Sequence, residues 1–287
     1  MAAGILDGKN LAYIIKEEIR AEVVAWQLRG HTPKLAVVLL GEDPASQAYV
    51  AAKQKVCREI GMACDVYFLA DSGDKDSLQT DLLALIQRLN ADGTVGGILV
   101  EMPLPVGINK ALVLSSLDPD KDVDGMSPIN RGRILSGEQG LVPATPMSCL
   151  ELLVRSGVRL AGKHVVVVGR GETVGKPLVY MLLRHNPTVT ICHSFTRDLG
   201  EVTRLGDVVI TAVGKPGLLR GDMVKSGAVV VDAGTTPTPD GLRGDAVFDE
   251  VAEVASLISP VPGGVGALTT VLLLRNVLFG MQRRFGS

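Results

Sequence analysis

Tyr49 and Lys53 stand four residues apart, so they share one face of a helix that Asp43-Pro44 opens, with Ser46 on the same side. A lysine in a partly desolvated site can carry proton transfers. On an arbitrary helix such a pair is a solvated face, and its company is what gives it weight. Glu101 closes an apolar strand at 95–100, where the C-terminal end of a parallel strand lines a crevice. The run Asp118-Pro-Asp120-Lys-Asp122-Val-Asp124-Gly125 opens like a calcium loop. An EF-hand needs Glu at the twelfth position, and Arg131 stands there. That leaves a plain acidic turn or a carboxylate presented to a ligand. Finally, Ser259-Pro-Val-Pro-Gly-Gly-Val-Gly266 places two prolines and three glycines before a helix. It reads as a rigid hinge, a wall of a site, or both.

A second chemistry sits further along. His164-Val-Val-Val-Val168 runs into Gly169-Arg-Gly171-Glu-Thr-Val-Gly175-Lys-Pro177, a strand, a glycine-rich turn and a helix start. Glycines let the backbone approach a pyrophosphate, and the helix N-terminus offers N–H groups and partial positive charge. The spacing is one residue longer than the common dinucleotide fingerprint, and a glycine-bearing turn without a ligand is the competing reading. NAD domains place an acid after the next strand, yet Thr188-Val-Thr-Ile-Cys192-His193-Ser194 ends without one. Arg170 is suited to a 2′-phosphate, which favours NADP, while the carboxylate of Glu172 opposes it.

The elements that must position these groups alternate β-branched runs with segments of helical period, the pattern of an α/β chain with mostly parallel strands. Helices are expected at 6–28, 45–60, 78–89, 147–156 and 267–284. Strands are expected at 34–40, 95–102, 163–169, 188–193, 207–212 and 228–232. The Gly/Pro-rich stretch 125–146 reads as the edge of a first domain. At 287 residues two domains are favoured over one. An apolar fraction of 46% with net charge −2 fits a globular protein and gives no sign of a nucleic-acid or membrane-surface partner. No run is expected to reach the roughly 18 apolar residues of a membrane span. The N-terminus shows no secretory pattern, and Cys57, Cys64, Cys149 and Cys192 lack zinc spacing. A cytoplasmic, metal-free chain is the expectation.

The set Tyr49-x-x-x-Lys53, Gly97-Ile-Leu-Val-Glu101-Met-Pro-Leu-Pro105, Lys121-Asp-Val-Asp124-Gly125, Pro143-Ala-Thr-Pro146, the Gly169 loop, Cys192-His-Ser194 and Pro260-Val-Pro262-Gly263-Gly264-Val-Gly266 resembles methylenetetrahydrofolate dehydrogenase/cyclohydrolase. The resemblance covers nearly the whole chain in order. It implies a homodimer of two-domain α/β subunits with a cleft between the domains. One is an N-terminal folate-binding, catalytic domain at 1–146, with the C-terminal helix 267–287 packing back on it. The other is a Rossmann-type NADP-binding domain at 147–266. The implied reaction oxidises 5,10-methylenetetrahydrofolate to the methenyl cation with NADP and hydrolyses that to 10-formyltetrahydrofolate. By the same resemblance Lys53 serves hydrolysis, Tyr49 stacks near the pterin and Asp124 holds its amino-pyrimidine edge. Pro262, Gly263 and Gly264 contact substrate, and Gly169, Arg170, Gly171, Ser194 and Thr235 line NADP. Three positions depart from the family. Glu101 replaces Gln in the catalytic set, Gly171 replaces Ser, and Ala267-Leu268 replaces Pro-Met. A carboxylate at 101 would hold Lys53 charged and weaken hydrolysis. The alternatives are therefore a dehydrogenase without cyclohydrolase, a shikimate-type Lys/Asp dehydrogenase, and a non-catalytic folate or dinucleotide binder.

Overall fold

Strands buried on both faces need unbroken apolar runs, while half-covered helices need a stripe, and the chain supplies both. The computed structural model describes residues 3–41, 43–71 and 73–286. It opens with strand β1 (Gly4–Ile5) and helix α1 (Gly8–Leu28), whose stripe Ile15, Ile19, Val23 and Trp26 is buried. β2 (Lys34–Leu40) is buried almost throughout. In α2 (Pro44–Ile60) the Asp43 carboxylate accepts the Ser46 N–H, Pro44 takes the first turn, and Gly61 closes the end in the left-handed region. Then come β3 (Ala63–Leu69), α3 (Lys75–Ala91) and β4 (Gly97–Val100). Short helices α4 (Lys110–Ser116) and α5 (Pro128–Ser136) follow, capped by Asn109 and Ser127, and then α6 (Ala144–Arg155). The next series is β5 (His164–Val168), α7 (Gly175–Leu183), β6 (Thr188–Cys192), α8 (Leu199–Thr203), β7 (Val208–Thr211) and β8 (Val229–Asp232). A hairpin of β9 (Thr236–Thr238) and β10 (Gly241–Arg243), then α9 (Phe248–Val254), β11 (Leu257–Ile258) and α10 (Val265–Phe285) complete it.

The chain divides into two units. Ile15–Val142 with Thr270–Ser287 makes one, here the lysine unit; Met1–Ile14 with Pro143–Thr269 makes the other, the loop unit. The start of the chain groups with the loop unit because β1 pairs with β11 and so joins its sheet. A two-residue strand leaves no periodicity from which to read that.

The lysine unit holds a parallel sheet of order β3-β2-β4. Its core packs Ala36, Val38 and Ile98 of the sheet against Leu82, Ile86 and Leu89 of α3 and Val113 of α4. The α10 residues of this unit reach the same sheet. Asn276 Nδ2 donates to the Val123 and Val142 carbonyls at 2.7 and 2.8 Å, and Arg284 donates to the Val95 and Gly96 carbonyls. By length and mean hydropathy (1.4) α10 does match a membrane span, against the expectation that no segment would. Val271, Leu272, Leu274, Val277 and Leu278 are buried within the fold, so the apolarity is that of a core helix.

Lys121 is among the largest fully buried side chains. Its Nζ donates to the carbonyls of Leu89, Asn90 and Asp92 at 2.9, 2.7 and 2.8 Å, capping the C-terminal end of α3 with a cation. Lys121→Met should leave three carbonyls without that donor and cost about 3 kcal/mol. At about 2–4 °C per kcal/mol, scanning calorimetry should show the melting temperature falling by roughly 6–12 °C. A loss under about 2 °C refutes the capping role.

The loop unit is a six-stranded parallel sheet of order β1-β11-β8-β7-β5-β6. Counted from β5, this is the doubly wound order 2-1-3-4-5, extended at its edge by the start of the chain, and it reverses between β5 and β7. Val166, Val168, Val209, Val230 and Ile258 fill its core.

Candidate active site

Four of the expected residues come together in the lysine unit. Capping at Asp43 sets the phase of α2, which places Tyr49 and Lys53 one turn apart, with Lys53 Nζ 5.8 Å from the centre of the Tyr49 ring. Tyr49 is 64% exposed. Ser46 is spoken for, since its hydroxyl donates to Asp43 at 2.7 Å. Glu101 follows β4, whose register against β2 is fixed by the Glu101 N–H donating to the Val38 carbonyl. That turns the side chain toward α2, and Glu101 Oε1 accepts from Lys53 Nζ at 2.7 Å. Both side chains are largely enclosed, 14% and 12% exposed, so this is no surface ion pair.

Asp124 is the fourth member. The turn that carries it is tied by Asp122, a buried carboxylate accepting from the Met126 and Ser127 N–H groups and from Asn130 Nδ2. Gly125 has φ 61 and lies against the Leu141–Val142 backbone, so no other residue closes this turn without strain. Asp124, carried by this turn, is half-buried. Removal from water, then the charges of Asp122 and Glu101, push that carboxyl up to about 7 against the pull of Lys53 and Lys110. A lysine, a carboxylate bonded to it and a second carboxylate titrating near neutrality form a site equipped for proton transfer and for binding paired N–H donors.

The motif Lys121-Asp122-Val123-Asp124-Gly125 thus separates into parts. Lys121 and Asp122 build, and Asp124 is half-buried within the electrostatic reach of Glu101 and Lys53. The building roles were missed in the sequence because Lys121 bonds to backbone at the far end of α3 and Asp122 to groups that only the folded turn brings around it.

The other expected residues lie in the loop unit. The turn between β5 and α7 has the anticipated strand–turn–helix form, at the point where strand order reverses. Gly169 has φ 126, and a side chain there would strike the Ala212 carbonyl of the strand across the reversal. Gly175 is packed against the Gly169 carbonyl. Gly171 has open space around its α-carbon, so packing does not require glycine at that position. No side chain caps the N-terminus of α7; its Lys176 N–H donates to the Gly171 carbonyl at 3.0 Å and Pro177 has none, so Gly175 is the first-turn residue whose N–H is left to meet an anion. The cradle therefore fits a dinucleotide pyrophosphate. Arg170 and Ser194 are exposed beside it, because Gly169 N–H donates to the Cys192 carbonyl at 2.9 Å and so joins the ends of β5 and β6.

Thr235 is exposed on the turn after β8. That turn rests on Asp232, a functional support not anticipated from the sequence. Its buried carboxylate accepts from the N–H groups of Gly234, Asp245 and Ala246 at 2.8, 3.0 and 2.7 Å and from the Thr211 hydroxyl. An acid at the end of an apolar strand followed by Ala-Gly was the available signal. In the 259–266 segment Pro262 is exposed and Gly263 half-buried, whereas Gly264 packs against Gly8 and the Pro260 carbonyl. The glycine at 264 is needed for close backbone packing.

Comparison with known proteins identifies the family. Residues 6–124 match the family model described as tetrahydrofolate dehydrogenase/cyclohydrolase, catalytic domain, and residues 143–285 match its NAD(P)-binding domain. The chain is similar to "Bifunctional protein FolD 2" of Desulfitobacterium hafniense, 57% identical over 99% of each chain. Among solved structures it resembles the bifunctional methylenetetrahydrofolate dehydrogenase/cyclohydrolase of Campylobacter jejuni, with 43% identity, a TM-score of 0.95 and coverage of 99% and 100%. It also resembles the Trypanosoma brucei methylenetetrahydrofolate dehydrogenase-cyclohydrolase complexed with NADP and an inhibitor, with 36% identity, a TM-score of 0.93 and full coverage of both.

Proposed function

The chain belongs to the tetrahydrofolate dehydrogenase/cyclohydrolase family, and from that premise we propose that it oxidises 5,10-methylenetetrahydrofolate with NADP and hydrolyses the methenyl product to 10-formyltetrahydrofolate. The observation that carries the reading is the Lys53–Glu101–Asp124 cluster, a proton-handling pair beside a carboxylate suited to the pterin edge.

NADP supplies the hydride acceptor. Loss of hydride leaves a cation stabilised by two nitrogens, so this step asks the protein for positioning and no strong base. Asp124 accepts two hydrogen bonds from the pterin N–H pair, and Tyr49 lays its exposed ring along the pterin. Hydrolysis asks for more. Water adds to the methenyl carbon and gives a proton to Lys53, and the bond from that carbon to N5 breaks as N5 regains a proton, with one proton released overall. Glu101 bears on this second step, because its bond to Lys53 must loosen before the amine can act.

The nucleotide is assigned to the Gly169–Gly171 turn, Arg170, Ser194 and Thr235, and substrate contacts to Tyr49, Asp124, Pro262, Gly263 and Gly264. NADP is favoured over NAD by Arg170 on the turn and by the lack of an acid after β6. High identity to bifunctional relatives over the full length favours this reading over a shikimate-type dehydrogenase or a dehydrogenase without cyclohydrolase. A homodimer is the assembly we infer from the family, and the open edge of β3, with Val66 and Phe68 exposed, is a surface that pairing would cover. Four free thiols fit a cytoplasmic setting.

The test supplies 5,10-methylenetetrahydrofolate with NADP or NAD and follows methenyl absorbance and reduced cofactor together. Both signals should rise with NADP, and the methenyl signal should then decay. A chain that reduces neither dinucleotide overturns the proposal.

A further inference from the structure

Phe195 is 79% exposed, at the tip of the turn that follows β6. Exposed phenylalanines are ordinary when scattered, but this one is held in place. Its N–H donates to His193 Nδ1 at 3.2 Å, the His193 N–H donates to Thr196 Oγ1 at 2.9 Å, and the Thr196 N–H donates to the His193 carbonyl at 2.8 Å. The His193 ring meets the Phe195 ring edge-on at 6.2 Å. A turn bonded three times thus holds the backbone of Phe195, and most of its ring stands in water.

What the ring touches gives the reason. The Arg170 guanidinium lies 5.6 Å from its centroid, within cation–π range. Arg170 belongs to the glycine turn after β5 and Phe195 to the turn after β6, and in doubly wound folds the end of that second strand is where the adenosine ribose 2′-substituent lies. A long exposed arginine loses rotamer entropy when it closes on a phosphate. A ring that already holds its charge removes part of that loss, and it does so without consuming any particular N–H donor of the guanidinium fork.

We propose that Phe195 is a positioning residue for cofactor choice: it pre-sets Arg170 for the 2′-phosphate, so that selectivity for NADP depends on an aromatic ring at position 195. This rests on the NADP reading above and deepens it.

Isothermal titration of the full-length protein with 2′,5′-ADP and with 5′-AMP separates the two claims. Wild type should bind 2′,5′-ADP the more tightly; equal binding of the two overturns the NADP reading itself. Given that discrimination, Phe195→Leu, which keeps bulk and loses the ring face, should weaken 2′,5′-ADP by roughly three- to fivefold, the scale of an exposed cation–π contact. The same variant should leave 5′-AMP unchanged, and Phe195→Tyr should restore wild-type binding. In an Arg170→Ala background Phe195→Leu should have no further effect. Steady-state assays should place the loss in KM for NADP, with kcat and KM for NAD unmoved. The inference is overturned if Phe195→Leu binds 2′,5′-ADP like wild type, if it weakens both nucleotides equally, or if its effect persists without Arg170.

Discussion

Lys53→Met should lower the hydrolysis of 5,10-methenyltetrahydrofolate by about 10²–10⁴-fold, the usual worth of a positioned acid–base group, and should slow the NADP-dependent oxidation far less. The asymmetry follows from the chemistry of the two steps, since only the hydrolytic one moves a proton from an attacking water. One complication is built into the site. Removing Lys53 leaves Glu101 enclosed without its partner at 2.7 Å and next to Asp124, whose carboxyl it already pushes up. An unpaired enclosed charge destabilises a fold by several kcal/mol, so the single variant risks reporting a damaged unit. The double variant Lys53→Met/Glu101→Gln removes both charges and isolates the role of the amine. It should bind folate and oxidise it while remaining unable to hydrolyse. Glu101→Gln alone should move the other way. Releasing Lys53 from an ion pair worth on the order of 1.4 kcal/mol should raise hydrolysis about tenfold. Stopped-flow decay of the methenyl absorbance measures all three. Hydrolysis within a few-fold of wild type in the double variant would remove Lys53 from the mechanism.

The chain disclosed its chemistry more readily than its architecture. The Asp43-Pro44 cap, the unbroken run at 34–40 and the turn at 169–175 are local signals, and each element forms where those signals put it. Spacing put Tyr49 and Lys53 on one face and the strand end put Glu101 at a crevice, but that Lys53 and Glu101 meet was implied by the family resemblance. Elements without a sharp period were passed over. β3 mixes exposed and half-buried residues, and α5 lies in a Gly/Pro-rich stretch where Ser127-Pro128 was its one clear mark. Roles that depend on long-range backbone bonds stayed out of reach. Lys121 reads as a surface charge until the end of α3 is seen to close around it, and Asp232 reads as the last residue of a strand until three N–H groups converge on it. The apolar count for α10 misled in the same way, because core burial and lipid burial ask for similar composition.

Affinity for folate should fall as pH drops through about 7, and Asp124 should be the cause. Its carboxyl is pushed up to about 7 by removal from water and by the charges of Asp122 and Glu101, so it gains a proton in the range where most carboxylates are long ionised. Only the carboxylate accepts both hydrogen bonds from the pterin N–H pair. If the ionised form alone binds, the KM for methylenetetrahydrofolate should be roughly tenfold higher at pH 6 than at pH 8, by ordinary titration of one group. Asp124→Asn keeps one acceptor and turns an N–H donor toward the second pterin donor. Losing one charge-assisted bond of about 3 kcal/mol should raise KM about hundredfold at pH 8 and flatten the pH dependence, with kcat for hydride transfer changing much less. Stability should respond in the opposite sense. A carboxyl held above its ordinary range binds its proton more tightly folded than unfolded, so its contribution is complete below about pH 4 and is lost as pH rises to about 7. The wild type therefore carries a partly enclosed charge at pH 8 that Asn lacks, and Asp124→Asn should melt about 3 °C higher there and indistinguishably from wild type near pH 4. A variant that loses folate affinity while gaining heat stability, both vanishing as the pH is lowered, is the signature of a carboxylate kept charged for binding at the expense of the fold. A KM for wild type that stays flat from pH 6 to 8 would show that Asp124 does not hold the pterin through its ionised form.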